Sequence, residues 1–524
     1  MRANDRKTPK RPSKTEAGPA NPAPASCATP AVTAQRIVII GGGFSGATTA
    51  VQAVRKSPRP LAITVVEPRA RVGPGLAYST ADPDYRLNGP ASTHNVDPDD
   101  PDHFPRWCEA DGLRHRDPQA WTPAGVAFIR RADFGRYLAA SFDAHAAGDN
   151  HGSVLVHHRA RALDVQAQGS GVSVATSDGQ RLAADLVVLA TGNAAPRWPA
   201  ALPAALHGHP GLIEYPLAEG ALQHIAAQAR VLVLGAGLTA LDAIATLLRQ
   251  GHRGEVIAVS RHGLRPRPQA AELLAAAPPG QPAAAMPQLL DLLDGPLPPY
   301  AQPYAQPQAG TPTVRRWLRG LRERIAVAEA AGQGWQSAFD ELRNVVWRAW
   351  PLLPAAEQRR FLRQLRPWYD VHRFRTPPQT EGRVREAERL GQVAFRIARL
   401  QAIQAVSERS LQVRFDGGRE EAFGAVVNCA GFRAGPPGLG DPVIDSLHHR
   451  GWLQPDVAGQ GFAVDGSYRP IGADGVVRPR LRLVGPLTAG TFGDPLGAVF
   501  IAAQVRRMLP GLWVDLQALR SPVA

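Results

Sequence analysis

Two glycine-rich segments carry the most specific chemistry in the chain. The first reads Gly41-Gly42-Gly43-Phe44-Ser45-Gly46, directly after the apolar run Ile37-Val38-Ile39-Ile40. A GxGxxG turn between a strand and a helix lets the backbone approach a pyrophosphate. The helix start adds N–H donors and the positive end of its dipole. Gly41, Gly43 and Gly46 fit that pattern, with Phe44 and Ser45 opening the helix. Glu67, followed by Pro68, closes the next apolar run, where a carboxylate can accept hydrogen bonds from ribose hydroxyls. A lone GxGxxG is weak evidence; strand, loop, helix and distal acid in this order are strong.

The second segment reads Gly235-Ala236-Gly237-Leu238-Thr239-Ala240, with alanine at the third position, which the pattern allows. Its following strand ends in Ser260-Arg261-His262 rather than in an acid. An acid there would repel a 2′-phosphate, whereas an arginine can pair with one. NADPH rather than NADH is therefore expected on this loop, with Arg261 as the contact. The blander reading is an exposed arginine in an arginine-rich chain.

Each loop needs the same scaffold. Residues 37–40, 47–55 and 61–67 read as strand, helix and strand, and residues 231–234, 238–248 and 255–261 repeat that order. A second feature also recurs. Val172-Ser173-Val174, a turn at Asp178-Gly179 and the run from Asp185 to Gly192 form one block. Residues 411–415, a turn at Asp416-Gly417-Gly418 and the run from Ala425 to Gly431 form its partner. Both read as a β-hairpin feeding a buried strand that stops at a small-residue turn. Residues 266–312, with Tyr-Ala-Gln-Pro repeated at 300–307, are expected to be mobile or irregular. Residues 313–365 read as helical; Trp335, Phe339, Leu342, Val346 and Trp350 form a stripe expected to pack into a core.

Composition narrows the field. A chain of 524 residues with 44% hydrophobic and 20% charged residues can bury a sizeable core. No apolar run is long enough to span a membrane. Cys27, Cys108 and Cys429 are too scattered for a disulfide framework, a CxxC pair or a cysteine-rich zinc site, and no metal is expected. The formal net charge is +14, and residues 1–34 read as a disordered basic tail without a signal-peptide h-region, so a cytoplasmic location is expected. All the lysines precede residue 57, which leaves little for Schiff-base chemistry. Hydrolase and NTPase motifs are absent, and no nucleic-acid partner is expected beyond the tail.

Several stretches together carry a resemblance. These are Gly73-Pro74-Gly75-Leu76-Ala77-Tyr78, Leu87-Asn88-Gly89-Pro90-Ala91, the DLVVLATGN run ending at Asn193, the run RPWYDVHRFR over 366–375, and LVGPLTAGT over 483–491. With the two glycine loops, the chain resembles a bacterial FAD/NAD(P)-binding flavoprotein family with two dinucleotide-binding domains. It is similar to class B, N-hydroxylating flavin monooxygenases. The resemblance covers residues 35–510. It implies FAD on residues 41–46 and Glu67, with Thr191 and Gly192 beside them, and NADPH on residues 235–240. It also implies that the chain returns to the FAD domain at its end. There Gly485-Pro486 stands where many such flavoproteins have Gly-Asp, and Asp494 lies near a helix start by the flavin. Two departures from the commoner form stand out: Gly89, where an aliphatic residue is expected, and residues 491–494.

The expected fold class is α/β, with two Rossmann-like domains, the FAD domain being interrupted by the NADPH domain. Residues 35–205 and 433–524 form the FAD-binding domain. Residues 206–265 and 376–432 form the NADPH-binding domain. Residues 266–375 form a Pro/Ala-rich linker and helical insertion. Two nucleotide sites suggest an electron relay from nicotinamide to flavin. The leading expectation is an FAD- and NADPH-dependent monooxygenase acting through a C4a-hydroperoxyflavin on a small amine or amino acid, with molecular oxygen as co-substrate. The alternatives are a flavin reductase and a non-catalytic flavin-binding scaffold. Asn88 and the cluster His372, Arg373 and Arg375 are the catalytic candidates, with His94 and Asn95 as weaker neighbours; arginines can clamp a carboxylate and a histidine can move protons. The substrate and the oligomeric state stay open.

Overall fold

The computed structural model describes residues 34–148, 150–193, 196, 198–199, 202–275, 311–431, 439–493 and 496–519. The expected basic tail before residue 34 and most of the Pro-rich stretch lie outside the described residues.

The first loop belongs to a five-stranded parallel sheet. Strand Gln35–Ile40 lies at its centre, between Leu61–Val66 and Leu186–Leu189. Val154–His158 and Leu481–Leu483 are its edges. The inner strands are continuous apolar runs because both faces are covered: helices pack on one, and Val165, Val172 and Val174 of an antiparallel sheet, with Val443, Ile444 and Leu447 of helix Pro442–His449, pack on the other. Helix Phe44–Lys56 lies on one face. Its Ala47, Ala50 and Ala53 share a core with Val505, Met508 and Leu509 of the last helix, Ala498–Ala518. Small alanine side chains let these two helices approach closely. The end of the chain thus completes the first domain.

The second loop sits in a parallel sheet of the same plan. Val231–Leu234 is central, with Val256–Ser260 and Val393–Ile397 on one side and Ala425–Asn428 and Leu212–Ile213 on the other. Helix Leu238–Arg249 buries Leu241, Ile244 and Leu247 against it, and helix Pro378–Arg389 adds Val384 and Ala387. The two hairpins expected before residues 186 and 425 are three-stranded antiparallel sheets. Their first strands, Ala162–Gln168 and Leu400–Ser407, are largely exposed and interleave glutamines with alanines, so they gave no clear apolar run.

Between strands Val256–Ser260 and Val393–Ile397 the chain forms helices Val314–Ala330, Trp335–Ala349, Ala355–Gln364 and Arg366–Arg373. Thr313 caps the first, its side chain accepting the Arg316 N–H. The aromatic stripe is less buried than its spacing suggests. Trp335 and Phe339 are half-buried and pack on His372, while the fully covered positions of that helix are neighbours such as Ala338, Val345 and Ala349. Residues 266–275 are irregular, and Pro266, Gln269 and Ala270 among them are buried.

The two dinucleotide-fold domains meet across a polar seam. Arg131 Nη2 pairs with Asp242 at 2.6 Å, Thr246 Oγ1 donates to Asp82 at 3.0 Å, and Arg249 bridges Asp82 and Asp84. Arg383 also pairs with Asp84. Among the described residues no helix is long and apolar enough to cross a membrane.

Candidate functional site: two glycine cradles

In the first loop Gly41 has φ +101°, and a Cβ there would stand 2.5 Å from the Ala190 carbonyl oxygen. A Cβ on Gly46 would fall 1.8 Å from the Gly41 carbonyl oxygen. These positions must be glycine for the helix to press against the strand end. Gly43 caps the helix without any side-chain bond, so the first-turn N–H groups remain open to an anion. Glu67 is buried. Its Oε2 accepts the Gly42 N–H at 2.8 Å, and its Oε1 accepts from the backbone and guanidinium of Arg69. Pro68 lies exposed beside it.

The chain returns to this loop late. Gly485 has φ +70°, and a Cβ on it would stand 2.7 Å from Ser45 Oγ. Its N–H donates to Gln504 at 2.7 Å, and Pro486 beside it is buried. Phe44 stacks on Phe134 at 6.0 Å. Thr191 Oγ1 is enclosed with no hydrogen-bond partner among the described residues, next to Gly192 at φ +79°, whose free side meets none of them within 4 Å. An orphaned hydroxyl beside an open glycine edge fits a polar ligand lying on this cradle.

The second loop copies the first. Gly235 has φ +116°, and its Cβ would stand 2.2 Å from the Cys429 carbonyl oxygen. Gly235 N–H donates to Val259 at 2.8 Å, as Gly41 N–H donates to Val66 at 3.0 Å. Gly237 caps its helix with nothing near its free side, Thr239 is half-buried, and fully buried Ala240 takes the place of Gly46. Asn428 Nδ2 is buried without a hydrogen-bond partner among the described residues, again an unanswered polar atom beside the loop. Leu234 pairs with Val259 as Ile40 pairs with Val66. Ser260 therefore occupies the position of Glu67, and Arg261 comes one residue later. Arg261 is exposed and makes no ion pair among the described residues, whereas Arg265 pairs with Glu388 and lies over Phe395.

The structure divides the substrate-side candidates. Arg373 is buried, with its guanidinium over Phe374 at 4.2 Å and over Phe500 at 4.9 Å, beside Gly497 at the start of the last helix. Arg375 turns the other way, ion-paired to Asp340 and lying over Trp335. His372 stacks on Phe339 at 4.9 Å, its Nδ1 lies 2.7 Å from the Trp368 carbonyl oxygen, and burial lowers its pKa. His372 and Arg375 thus hold the insertion together, and only Arg373 of that cluster faces the first domain's closing segment. Asn88 is half-buried, and its carbonyl accepts from Gln269 Nε2 at 2.9 Å. Asn95 binds Pro101 and the Phe104 N–H, which fixes a turn. Asp494 lies outside the described residues.

Two residues and one contact were missed in the sequence. Buried Gln269 ties the Asn88 loop to Thr376, yet sits in a Pro-rich stretch with no periodicity. Arg343 lies over Phe500 at 5.7 Å, in a stretch whose sequence showed only helical periodicity. Gly493 and Gly490 meet Trp350, whose Nε1 donates to the Gly490 carbonyl at 2.8 Å, so the insertion clasps the closing segment.

Residues 38–194 match a family of FAD-NAD(P)-binding proteins. No curated protein matches the chain. Among solved structures, an ornithine N-hydroxylase from Kutzneria sp. 744, with reduced FAD, NADP+ and L-ornithine, is similar at 16% identity and TM-score 0.59, over 93% of this chain and 100% of that one. L-lysine 6-monooxygenase from Pseudomonas syringae is similar at 17% identity and TM-score 0.57, over 93% of this chain and 100% of that one. The FAD-bound cadaverine monooxygenase of desferrioxamine biosynthesis from Erwinia amylovora is similar at 13% identity and TM-score 0.58, over 92% and 94%. At these identities the likeness is one of fold. Residues 38–194 thus correspond to an FAD-NAD(P)-binding domain, set in a chain with the two-dinucleotide-domain fold that these flavoproteins share.

Proposed function

We propose that the chain is an FAD- and NADPH-dependent oxidoreductase that hydroxylates the nitrogen of a small amine or amino acid with molecular oxygen. The observation that carries this reading is the paired construction of the glycine cradles, one ending in buried Glu67 and the other in exposed Arg261. The fold shared with three N-hydroxylating or amine-directed monooxygenases supports the choice of reaction.

In this reading the first cradle holds the flavin dinucleotide. The open N–H groups after Gly43 take the pyrophosphate, and Glu67 takes ribose hydroxyls. Thr191 and Gly485 border the same ligand. The second cradle holds NADPH, with Arg261 on the 2′-phosphate. When bound, the pair supplies hydride transfer and oxygen activation. The chain's own part is to bind, to orient and to exclude water. Trp350, packed on the Gly490–Gly493 turn, closes the insertion over the first domain.

The test is purification followed by an NADPH-consumption screen against amines and amino acids, with peroxide measured in parallel. A yellow protein with about one FAD per chain is expected, with consumption stimulated by an amine and little peroxide released. A colourless protein that takes up no FAD would sink the reading.

A further inference from the structure

His94 follows the short turn Ala91–Thr93 and is buried. Its Nδ1 lies 2.9 Å from the Pro90 carbonyl oxygen and 3.2 Å from Thr93 Oγ1. A carbonyl can only accept, so Nδ1 carries the proton and Nε2 is left as a lone-pair acceptor. Nε2 makes no hydrogen bond among the described residues. The ring meets Phe134 edge-on at 5.6 Å, and Phe134 in turn stacks on Phe44 of the first loop.

On its other side the insertion contributes Arg343 and Arg373. Both lie over Phe500 in the first turn of the last helix. Burial of the imidazole holds the His94 pKa down to about 4, against the pull of the Pro90 carbonyl and with a smaller push from the charges of Arg343 and Arg373, so the ring is neutral at ordinary pH. The first domain, the insertion and the closing segment therefore converge on this imidazole.

The backbone makes room for it. A Cβ on Gly89 would stand 3.1 Å from His94 Cε1, tighter than an ordinary van der Waals contact. A branched side chain at 89 would displace the ring.

We propose that His94 is the hydrogen-bond acceptor that orients an amine substrate, and that Gly89 is kept bare to seat it. The proposal rests on the flavin-site reading above. The neighbouring guanidinium groups can only donate, and the phenyl rings offer no acceptor of comparable strength. An amine N–H donated to Nε2 leaves the nitrogen's own lone pair free, which an oxygenation at nitrogen requires. A carboxylate in the same place would favour the protonated, unreactive ammonium; a neutral imidazole does not.

The experiment compares Gly89→Val, His94→Phe, His94→Gln, His94→Asp and the Gly89→Val/His94→Phe double variant with the parent flavoprotein. L-ornithine, L-lysine and cadaverine are the probes. FAD content is read from absorbance and amine-stimulated NADPH oxidation is followed across pH. At least one probe is expected to stimulate the parent protein saturably. His94→Phe and Gly89→Val should each raise its KM about tenfold, with a smaller effect on kcat. His94→Gln, which keeps a neutral acceptor, should recover most of the loss. The double variant should be no worse than His94→Phe alone, because both changes remove one interaction. His94→Asp should move the alkaline rise of activity to higher pH. Unchanged KM in both single variants, additive effects, or an FAD-replete parent that no probe stimulates would overturn the proposal. A parent without FAD would instead refute the flavin reading.

Discussion

The same helix face does two different jobs in the two dinucleotide-fold domains. In helix Phe44–Lys56, Thr48, Gln52 and Arg55 recur at helical spacing. Thr48 and Gln52 donate to the Val96 carbonyl, Gln52 also reaches Ala502, and Arg55 pairs with Asp97. All these partners lie in the first domain. The equivalent residues of helix Leu238–Arg249 are Asp242, Thr246 and Arg249, and they cross the seam to Arg131, Asp82 and Asp84. One stripe knits a domain internally; the other docks a domain on its neighbour. The loops differ in the same sense. The first is backed by Gly485 of the closing segment and carries a buried acid, whereas the second ends in an exposed arginine and a two-residue edge strand. A polar seam and an exposed cradle edge suit a ligand that exchanges, and a cradle walled by the end of its own domain suits one that stays.

The sharpest way to break this contrast is the third loop position. Gly46→Ala places a methyl group where only 1.8 Å separates its Cβ from the Gly41 carbonyl oxygen, so the helix must move off the strand. The expected result is loss of bound FAD and a destabilisation of several kcal/mol, on the order of 3–5. Ala240→Gly in the second loop should cost only about 1 kcal/mol and leave FAD in place. If Gly46→Ala purifies yellow with an unchanged melting temperature, the two cradles are not built under different constraints. Glu67→Gln comes next: it weakens the contact to ribose and should lower FAD affinity about tenfold, measured by titrating apoprotein. Arg261→Ala should raise the KM for NADPH by about tenfold while barely changing that for NADH. Equal changes for the two cofactors would leave Arg261 an ordinary surface side chain.

The glycine loops were legible because local geometry alone demands glycine and a buried apolar strand. The repeat was legible for the same reason: each block carries its own turn chemistry. The site's remaining walls were not. Gln269 and Arg343 act through contacts between distant segments, and neither sits in a pattern with a period. His372, Arg373 and Arg375 looked like one cluster because they are adjacent in sequence. A helix end splits them: the chain leaves Arg366–Arg373 at Phe374, so Arg373 and Arg375 point to different neighbours. Gly89 stood out only as a departure from the resembled family, and its physical reason appears once His94 is seen against it.

The subtlest difference between the two helices is electrostatic. Thr48 is neutral, but Asp242 is an acid buried at the seam, with its pKa raised to about 6 by burial against the opposing pull of Arg131. Between the ordinary aspartate value and 6, the folded protein holds a proton that the unfolded chain has released. Stability contributed by this group is therefore greatest at low pH, falls as pH rises toward 6, and is level above it. Melting curves of Asp242→Asn and the parent protein should diverge across that window. The parent should lose about 2–5 °C relative to the variant between pH 4 and pH 6.5. The opposite trend, with the parent gaining on the variant as pH rises, would mean that pairing with Arg131 outweighs burial. The seam would then be an electrostatic lock rather than a joint held at a cost.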